Sequence, residues 1–348
     1  MSYTIVHLLD REAPNGVYTM VEELHWAFDK YHPKHKQKII VSGDERLNPD
    51  FTLEREYSGH HHLLKKLEGI ENPIVVFHKL MNSDAHALGK IVHGNFPFVI
   101  LNHTFSSKIH YMGRCDALVS VSEYMHKHLK KLFPALNNVF IRNGVNQERF
   151  ESAQPRDFGS IDPNEVFMTG RINALNSHKY SEEFVNWICS TEWPKKMVHE
   201  YIGKGNFLHE AKRLSKRLHR SGAPNRCNFM GPMYTFSRKL SYMKSWNLFL
   251  YEINRHEGTS MSVLEALACG IPVVCSDHYG NKELIVQEVN GFVYQNRKEA
   301  RRFVSRCMLE PEFLANLKKT TKQHFAEHLD MRISAAKYIE LFDSLAKG

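Results

Sequence analysis

Short apolar runs alternate with amphipathic runs of helix length along nearly the whole chain, and this alternation restricts the fold more than any other feature of the sequence. A strand covered by helices on both faces of a sheet has no polar side to show, so this pattern calls for βαβ units and parallel sheets. In the first half the expected strands are Thr4–Leu9, Lys38–Ser42, Ile74–Phe77, Phe98–Leu101, Ala117–Ser122 and Val139–Ile141, with helices at 17–31 and 123–133. A second series follows: Glu165–Thr169, His199–Ile202, Cys227–Met230, Leu248–Tyr251 and Pro272–Cys275. Between them Phe150–Asn164 has two prolines and little apolar content, and it reads as a linker. The chain has 348 residues, more than one core usually serves. The expectation is an α/β protein of two doubly wound domains, 1–150 and 151–325, facing across a cleft, with ligands beyond the carboxyl ends of the strands. The end, from about Ala326 to Leu345, reads as one long helix.

Hydrophobic residues make up 42% and charged residues 24%, as in a folded soluble protein. No apolar stretch has the length of a bilayer span. The start has neither a basic nor a long apolar segment of a secretory signal, so the expected location is the cytoplasm. None of the six cysteines forms a CxxC pair, and buried, reduced thiols are expected. His60, His61 and His62 are adjacent on one helical run and point in different directions, which does not make a metal site. The formal charge is +8. Basic clusters at Lys34–Lys38, His60–Lys66, Lys127–Lys131, Lys212–Arg220 and Lys318–Lys322 read singly as solvated helix faces, but their sum favours an acidic partner. Around His60–Leu67, the leucines Leu63, Leu64 and Leu67 beside Lys65 and Lys66 suggest a helix that could lie on an anionic membrane.

The segment richest in chemistry runs from Glu257 to Pro272. A strand ends near Tyr251, a loop of small residues carries Glu257, and a helix begins around Ser260 or Met261. Gly270 is a natural helix stop and Pro272 leads into the next strand. The free N–H groups at such a helix start favour a phosphate. Glu265, about a turn inside, can reach a ribose diol. Alone, a pair of glutamates at this spacing is also what an ordinary capped helix shows.

The surrounding elements resemble the family-4 retaining glycosyltransferases of the GT-B fold. Met168-Thr-Gly170-Arg171 is similar to that family's strand-Gly-Arg element, Tyr201-Ile-Gly203-Lys-Gly205 to its Gly-x-Gly turn, and Asn228-Phe-Met-Gly231 to its Phe-x-Gly element. Glu257–Pro272 is similar to its signature, Asn290-Gly291-Phe-Val-Tyr294 to the run after it, and Asn143-Gly144-Val145 to its exit from the first domain. The resemblance runs the length of the chain and is strongest from Phe167 to Tyr294.

That resemblance implies two Rossmann-like domains, with a C-terminal helix at 326–348 crossing back to the first. It implies that Arg171 and Lys179 neutralise the donor diphosphate, Glu257 and His103 face the donor sugar, and Glu265 holds the ribose. Lys179 lies eight residues after Arg171, farther than the family's usual spacing, so the loop between them is lengthened. Backbone amides of Ser260, Met261, Ser262 and Val263 would receive the distal phosphate. Gly16 would approach it from the first domain, and Gly231, Pro232 and Met233 would line the base. His78 and Lys79 are weaker candidates for an acceptor pocket.

The resemblance further implies a retaining sugar transfer from a nucleotide diphosphate sugar, with a UDP- or GDP-sugar the expected donor, no metal and no other cofactor. The acceptor stays open between a lipid-linked or cell-envelope glycan, hydroxymethylated bases of phage DNA and a small soluble molecule. A basic chain suits an anionic membrane or glycolipid, or DNA, and the first of these would make the enzyme peripheral at the membrane. A binding module without turnover is the alternative from another class. The presence of Arg171, Glu257 and His103 favours an enzyme.

Overall fold

The computed structural model describes residues 2–9, 16–41, 53–79, 92, 95–103, 115–157, 165–177, 179–253, 258–278 and 280–347. The chain divides into two compact units: Met1–Asn146 with Glu257–Met261 and Leu329–Gly348, and Gln147–His256 with Ser262–His328.

The first unit is built on a parallel sheet in the order β3-β2-β1-β4-β5-β6-β7. Its strands are β1 Thr4–Leu9, β2 Lys36–Val41, β3 Glu56–Tyr57, β4 Pro73–Lys79, β5 Phe98–Asn102, β6 Ala117–Ser120 and β7 Asn138–Phe140. Every residue of β1 is buried, His7 included, which explains why the strand reads as a continuous apolar run rather than an alternation. The helix Gly16–Tyr31 buries Val17, Met20, Val21, Leu24, Ala27 and Phe28, an i, i+3, i+4, i+7 stripe. Against it lies the helix Met331–Leu345, with the rings of Phe28 and Phe342 6.2 Å apart.

The second unit repeats the winding in the order β10-β9-β8-β11-β12-β13, again parallel. Its strands are β8 Val166–Ile172, β9 Lys196–Ile202, β10 Arg226–Gly231, β11 Leu248–Tyr251, β12 Val273–Ser276 and β13 Gly291–Tyr294. In both units the order reverses beside the first strand, between β1 and β4 and between β8 and β11. Ligands of open α/β sheets bind at the carboxyl side of such reversals.

Three expectations are corrected. The C-terminal pattern is two helices, Pro311–His328 and Met331–Leu345. Asp330 separates them: its carboxylate accepts from the Arg332 amide at 2.8 Å, an N-cap that starts a new helix. The linker does not begin at Phe150. That residue sits in the helix Gln147–Glu151 with its ring edge-on to Phe236, and it is fully buried. Finally, Leu63 and Leu67 of the helix His60–Glu68 are fully buried, so its apolar stripe serves the core and is not free for a membrane. Lys66 on the same helix pairs with Glu56 at 2.9 Å. Among the described residues no helix is long and apolar enough to cross a bilayer.

Candidate functional site

In the second unit a cavity of about 330 Å³ opens at the carboxyl ends of β8, β11, β12 and β13, walled by Lys179, Glu252, Ser276, Tyr294, Asn296 and Arg297 among others. Each wall residue is held by a local device. Asn296 caps the helix Arg297–Leu309, its side-chain oxygen accepting from the Lys298 and Glu299 amides at 3.1 Å. Arg297 grips Glu252 with two bonds, Nη2 to Oε1 at 2.6 Å and Nε to Oε2 at 3.0 Å. The Tyr294 hydroxyl donates to the same carboxylate at 3.3 Å. Burial, then the charge of Glu252, drives the Tyr294 phenol well above its ordinary pKa, so it stays a donor.

The loop carrying Lys179 leaves β8 and is pinned by backbone bonds to the Gly203-Lys204-Gly205 turn. Asn173 N–H donates to Ile202 O at 3.1 Å and Leu175 N–H to Lys204 O at 3.0 Å. The approach is so close that a Cβ on Gly203 would fall 1.9 Å from Asn173 O, and one on Gly205 would fall 2.3 Å from Leu175 O. This is why the turn needs glycine twice. The loop then curls, with Lys179 N–H bonded to Asn176 O at 3.1 Å, and this turn brings Lys179 to the cavity wall.

Arg171 lies deeper. Its side chain is only 1% exposed, and its guanidinium carbon stands 4.8 Å from the Tyr251 ring, 5.2 Å from Tyr201 and 5.7 Å from Phe184. With the Asn173 amide oxygen turned toward it, Arg171 also donates from Nε at 3.3 Å and from Nη2. Its charge helps hold His199 neutral, after the larger effect of that histidine's burial. Arg171 is thus a buried cation in an aromatic cage, while Lys179 is a wall residue.

Glu265 is on the helix Met261–Ala268 and pairs with Lys239 at 3.0 Å. The helix ends as expected, with Gly270 at φ +71° closing bonds to Leu267 O and, through Ile271, to Ala266 O. Gly231, Pro232 and Met233 follow from the end of β10, where the Gly231 carbonyl accepts from Gly203 N–H at 2.9 Å.

In the first unit the structure gathers His103, Gly16 and Met261 with partners of their own. A Cβ on Gly16 would lie 3.2 Å from the Met261 side chain, so these two expected donor-site residues are neighbours. Gly258 is packed against the His103 backbone oxygen, 2.9 Å from where its Cβ would stand, and Thr259 donates to Val121 O at 2.8 Å. Glu257 lies outside the described residues. His103 Nε2 is 3.3 Å from His78 Nδ1, and His78 Nε2 is 3.0 Å from His7 Nδ1. Burial holds all three rings neutral: His7 and His103 are lowered to about 3, and His78 falls well below its usual value.

Sequence reasoning missed Glu252, Arg297 and His7. Glu252 and Arg297 meet only through the packing of β11 against the later helix. His7 had a signal, a lone imidazole inside an otherwise apolar strand.

Two doubly wound parallel units in one chain are the GT-B architecture; of the expected site residues the cavity in the second unit is lined by Lys179, and not by Arg171, Glu265 or Gly231–Met233. Residues 202–324 match the family described as glycosyl transferases group 1. The fold is that of the GT-B glycosyltransferases, and the matched stretch lies within the second unit. Among solved structures it is similar to Anabaena HepE bound to UDP, with a TM-score of 0.79 and 14% identity over 98% of this chain and 100% of that one. A Rickettsia africae glycosyltransferase gives a TM-score of 0.75 and 15% identity over 100% of this chain and 99% of that one. In sequence, an uncharacterized glycosyltransferase of Methanocaldococcus jannaschii is 20% identical over 73% of this chain and 67% of its own length.

Proposed function

We propose that this chain is a glycosyltransferase that moves a sugar from a UDP- or GDP-sugar to an acceptor hydroxyl with retention at the anomeric carbon. The acceptor is a lipid-linked or cell-envelope glycan. The observation that carries the reading is the cavity at the carboxyl ends of β8 and β11–β13, with Lys179 on its wall and the family-matched segment around it. HepE was solved with UDP and with UDP-glucose, which supports the donor class. A lipopolysaccharide outer core galactosyltransferase of similar fold, at a TM-score of 0.69 and 14% identity, supports an envelope acceptor, as does the charge of +8.

In this reading the diphosphate leaves as the anomeric bond breaks, and negative charge grows on it. Lys179 meets that charge directly. Arg171 adds a fixed positive potential from a low-dielectric site, where charge acts over a longer range than in water. The departing phosphate oxygen takes the acceptor proton, so positioning and charge replace a protein base. Glu265 holds the ribose, the amides of Ser260–Val263 hold the distal phosphate, and Gly231–Met233 flank the base. His103 and Glu257 orient the sugar. No metal or other cofactor enters this scheme.

The test pairs a thermal-shift screen of UDP-, GDP-, ADP- and CDP-sugars with the configuration of the product. A ligand that binds only the folded chain raises its melting temperature. Retention requires the product linkage to keep the donor's anomeric configuration, read by NMR. An inverted product would remove the retaining mechanism, and no shift with any nucleotide sugar would remove the donor reading. Binding to anionic liposomes that falls with salt, set beside binding to duplex DNA, tests the acceptor class.

A further inference from the structure

Four polar side chains cross the first unit's sheet in one diagonal row. Gln37 on β2 faces Ile5 in register, and His7 is two residues beyond Ile5. His7 faces Val76, and His78 is two residues beyond that. His78 faces Leu101, and His103 is two residues beyond again. Side chains alternate faces along a strand, so steps of two keep all four on one face while the row climbs toward the carboxyl end. The row passes directly over the β1–β4 reversal. The contacts are continuous: Gln37 Oε1 to His7 Nε2 at 3.3 Å, His7 Nδ1 to His78 Nε2 at 3.0 Å, and His78 Nδ1 to His103 Nε2 at 3.3 Å.

The direction of every proton in this row follows from its far end. Gln37 Nε2 donates to His25 O at 3.0 Å and to Asp29 Oδ1 at 2.6 Å. Both are acceptors only, so the amide has one orientation and Oε1 must accept from His7. A neutral His7 therefore carries its proton on Nε2 and offers a lone pair at Nδ1. His78 must then donate from Nε2, leaving its Nδ1 to accept, and His103 must donate from Nε2 in turn. Neutral rings allow no other assignment without placing two donors or two lone pairs face to face. An amide oxygen is too weak a base to keep a proton, so the row does not carry protons away; it orders them.

We infer that Gln37, His7 and His78 are positioning residues that lock His103 in the Nε2–H tautomer, so that its Nδ1 presents a lone pair to a substrate hydroxyl. The substrate half of this inference rests on the proposed sugar-orienting role of His103, whereas the lock itself does not. The lock turns an ambivalent imidazole into an acceptor. It selects a hydroxyl that donates, and it removes the cost of choosing a tautomer when the sugar arrives.

The experiment is long-range proton–nitrogen NMR on the full chain labelled with 15N-histidine at pH 7, followed by the variant Gln37→Leu. The wild type should show His7, His78 and His103 all with a pyrrole-like Nε2 and a pyridine-like Nδ1. A charged His103, or one protonated on Nδ1, would overturn the lock. Gln37→Leu removes the terminal acceptor at similar volume and should release a second tautomer at His103. An unchanged single tautomer in Gln37→Leu overturns the role of Gln37. With UDP-glucose as probe, Gln37→Leu should lower turnover roughly tenfold or more, while UDP affinity stays at the wild-type level. A second His103 tautomer released in Gln37→Leu together with undiminished turnover would sink the substrate role of His103 and leave the lock standing.

Discussion

Lys239 Nζ stands 3.0 Å from Glu265 Oε1, joining the helix Phe236–Lys244 to the helix Met261–Ala268 through two largely buried side chains. The pair fixes the carboxylate through Oε1, and in the proposed reading Oε2 receives the ribose diol. Glu265→Ala should therefore weaken binding of the free nucleoside diphosphate by tenfold to a hundredfold, since hydrogen bonds to a charged group contribute about 1.5–3 kcal/mol. Lys239→Met should weaken it less, because the carboxylate survives but loses its orientation. Calorimetric titration with the nucleoside diphosphate measures both. Wild-type affinity in Glu265→Ala would remove the ribose role.

Gly170 lies face-on to the Trp246 indole, so close that a Cβ would fall 2.1 Å from Trp246 Cε2. The indole cannot step aside, because its Nε1 donates to Glu200 Oε2 at 2.8 Å and Glu200 Oε1 pairs with Arg156 at 2.8 Å. Gly170→Ala should destabilise the second unit by at least about 2 kcal/mol, at the upper end of overpacking costs. Denaturant unfolding followed by tryptophan fluorescence measures this. A variant as stable as wild type would show that the strand yields more than its packing implies.

The fold was legible because parallel strands buried on both faces leave an unmistakable apolar rhythm, and Gly270 announced its helix stop. The Asp330 break was not legible, since a single N-cap interrupts a pattern whose apolar spacing continues across it. Lys179 and Glu265 could be proposed for the site because each stands near a motif that resembles a family element, Lys179 at a spacing wider than the family's. Glu252–Arg297 and the Gln37–His103 row could not. They depend on strand order and register, which bring together residues 45 and 66 positions apart respectively, the second span being 103 minus 37. The glycine in Gly170-Arg171 was legible as a motif, but its cause was not, because Trp246 lies on a different segment.

Arg171 and Lys179 should respond differently to truncation. Lys179 is on a cavity wall, so Lys179→Ala should keep the fold and reduce kcat by roughly a hundredfold, the usual scale for losing one group that stabilises transition-state charge. Arg171→Ala should also lose activity, but with a fall in melting temperature, because it empties a cage of three buried aromatic rings. Steady-state kinetics with parallel thermal melts separates the two. A silent Lys179→Ala would move the diphosphate contact elsewhere, with Lys204 the next residue to test.

Acid should unfold the first unit selectively, and the histidine row supplies the reason. Burial lowers the folded-state pKa of His7 and His103 to about 3 and that of His78 well below normal, while an unfolded histidine titrates near 6.5. Between those values the unfolded chain binds protons that the folded unit refuses. Stability is therefore fully present above pH 6.5 and lost as pH falls through the unfolded value. Each such histidine contributes a slope approaching 1.4 kcal/mol per pH unit, so three together remove about 4 kcal/mol by pH 5.5. His25, His32, His35 and His126 are lowered as well, each first by burial, and add in the same direction. The second unit has His199 as its strongly shifted histidine among the described residues, so its acid loss should be smaller. Hydrogen exchange of the β1 and β4 amides, set against those of β8 and β9 at pH 7.5, 6.5 and 5.5, reads each unit separately. Protection of β1 and β4 should collapse first, and His7→Asn should flatten the pH dependence by about one histidine's share. Equal pH dependence in the two sheets would mean that the buried row already holds protons in the folded state.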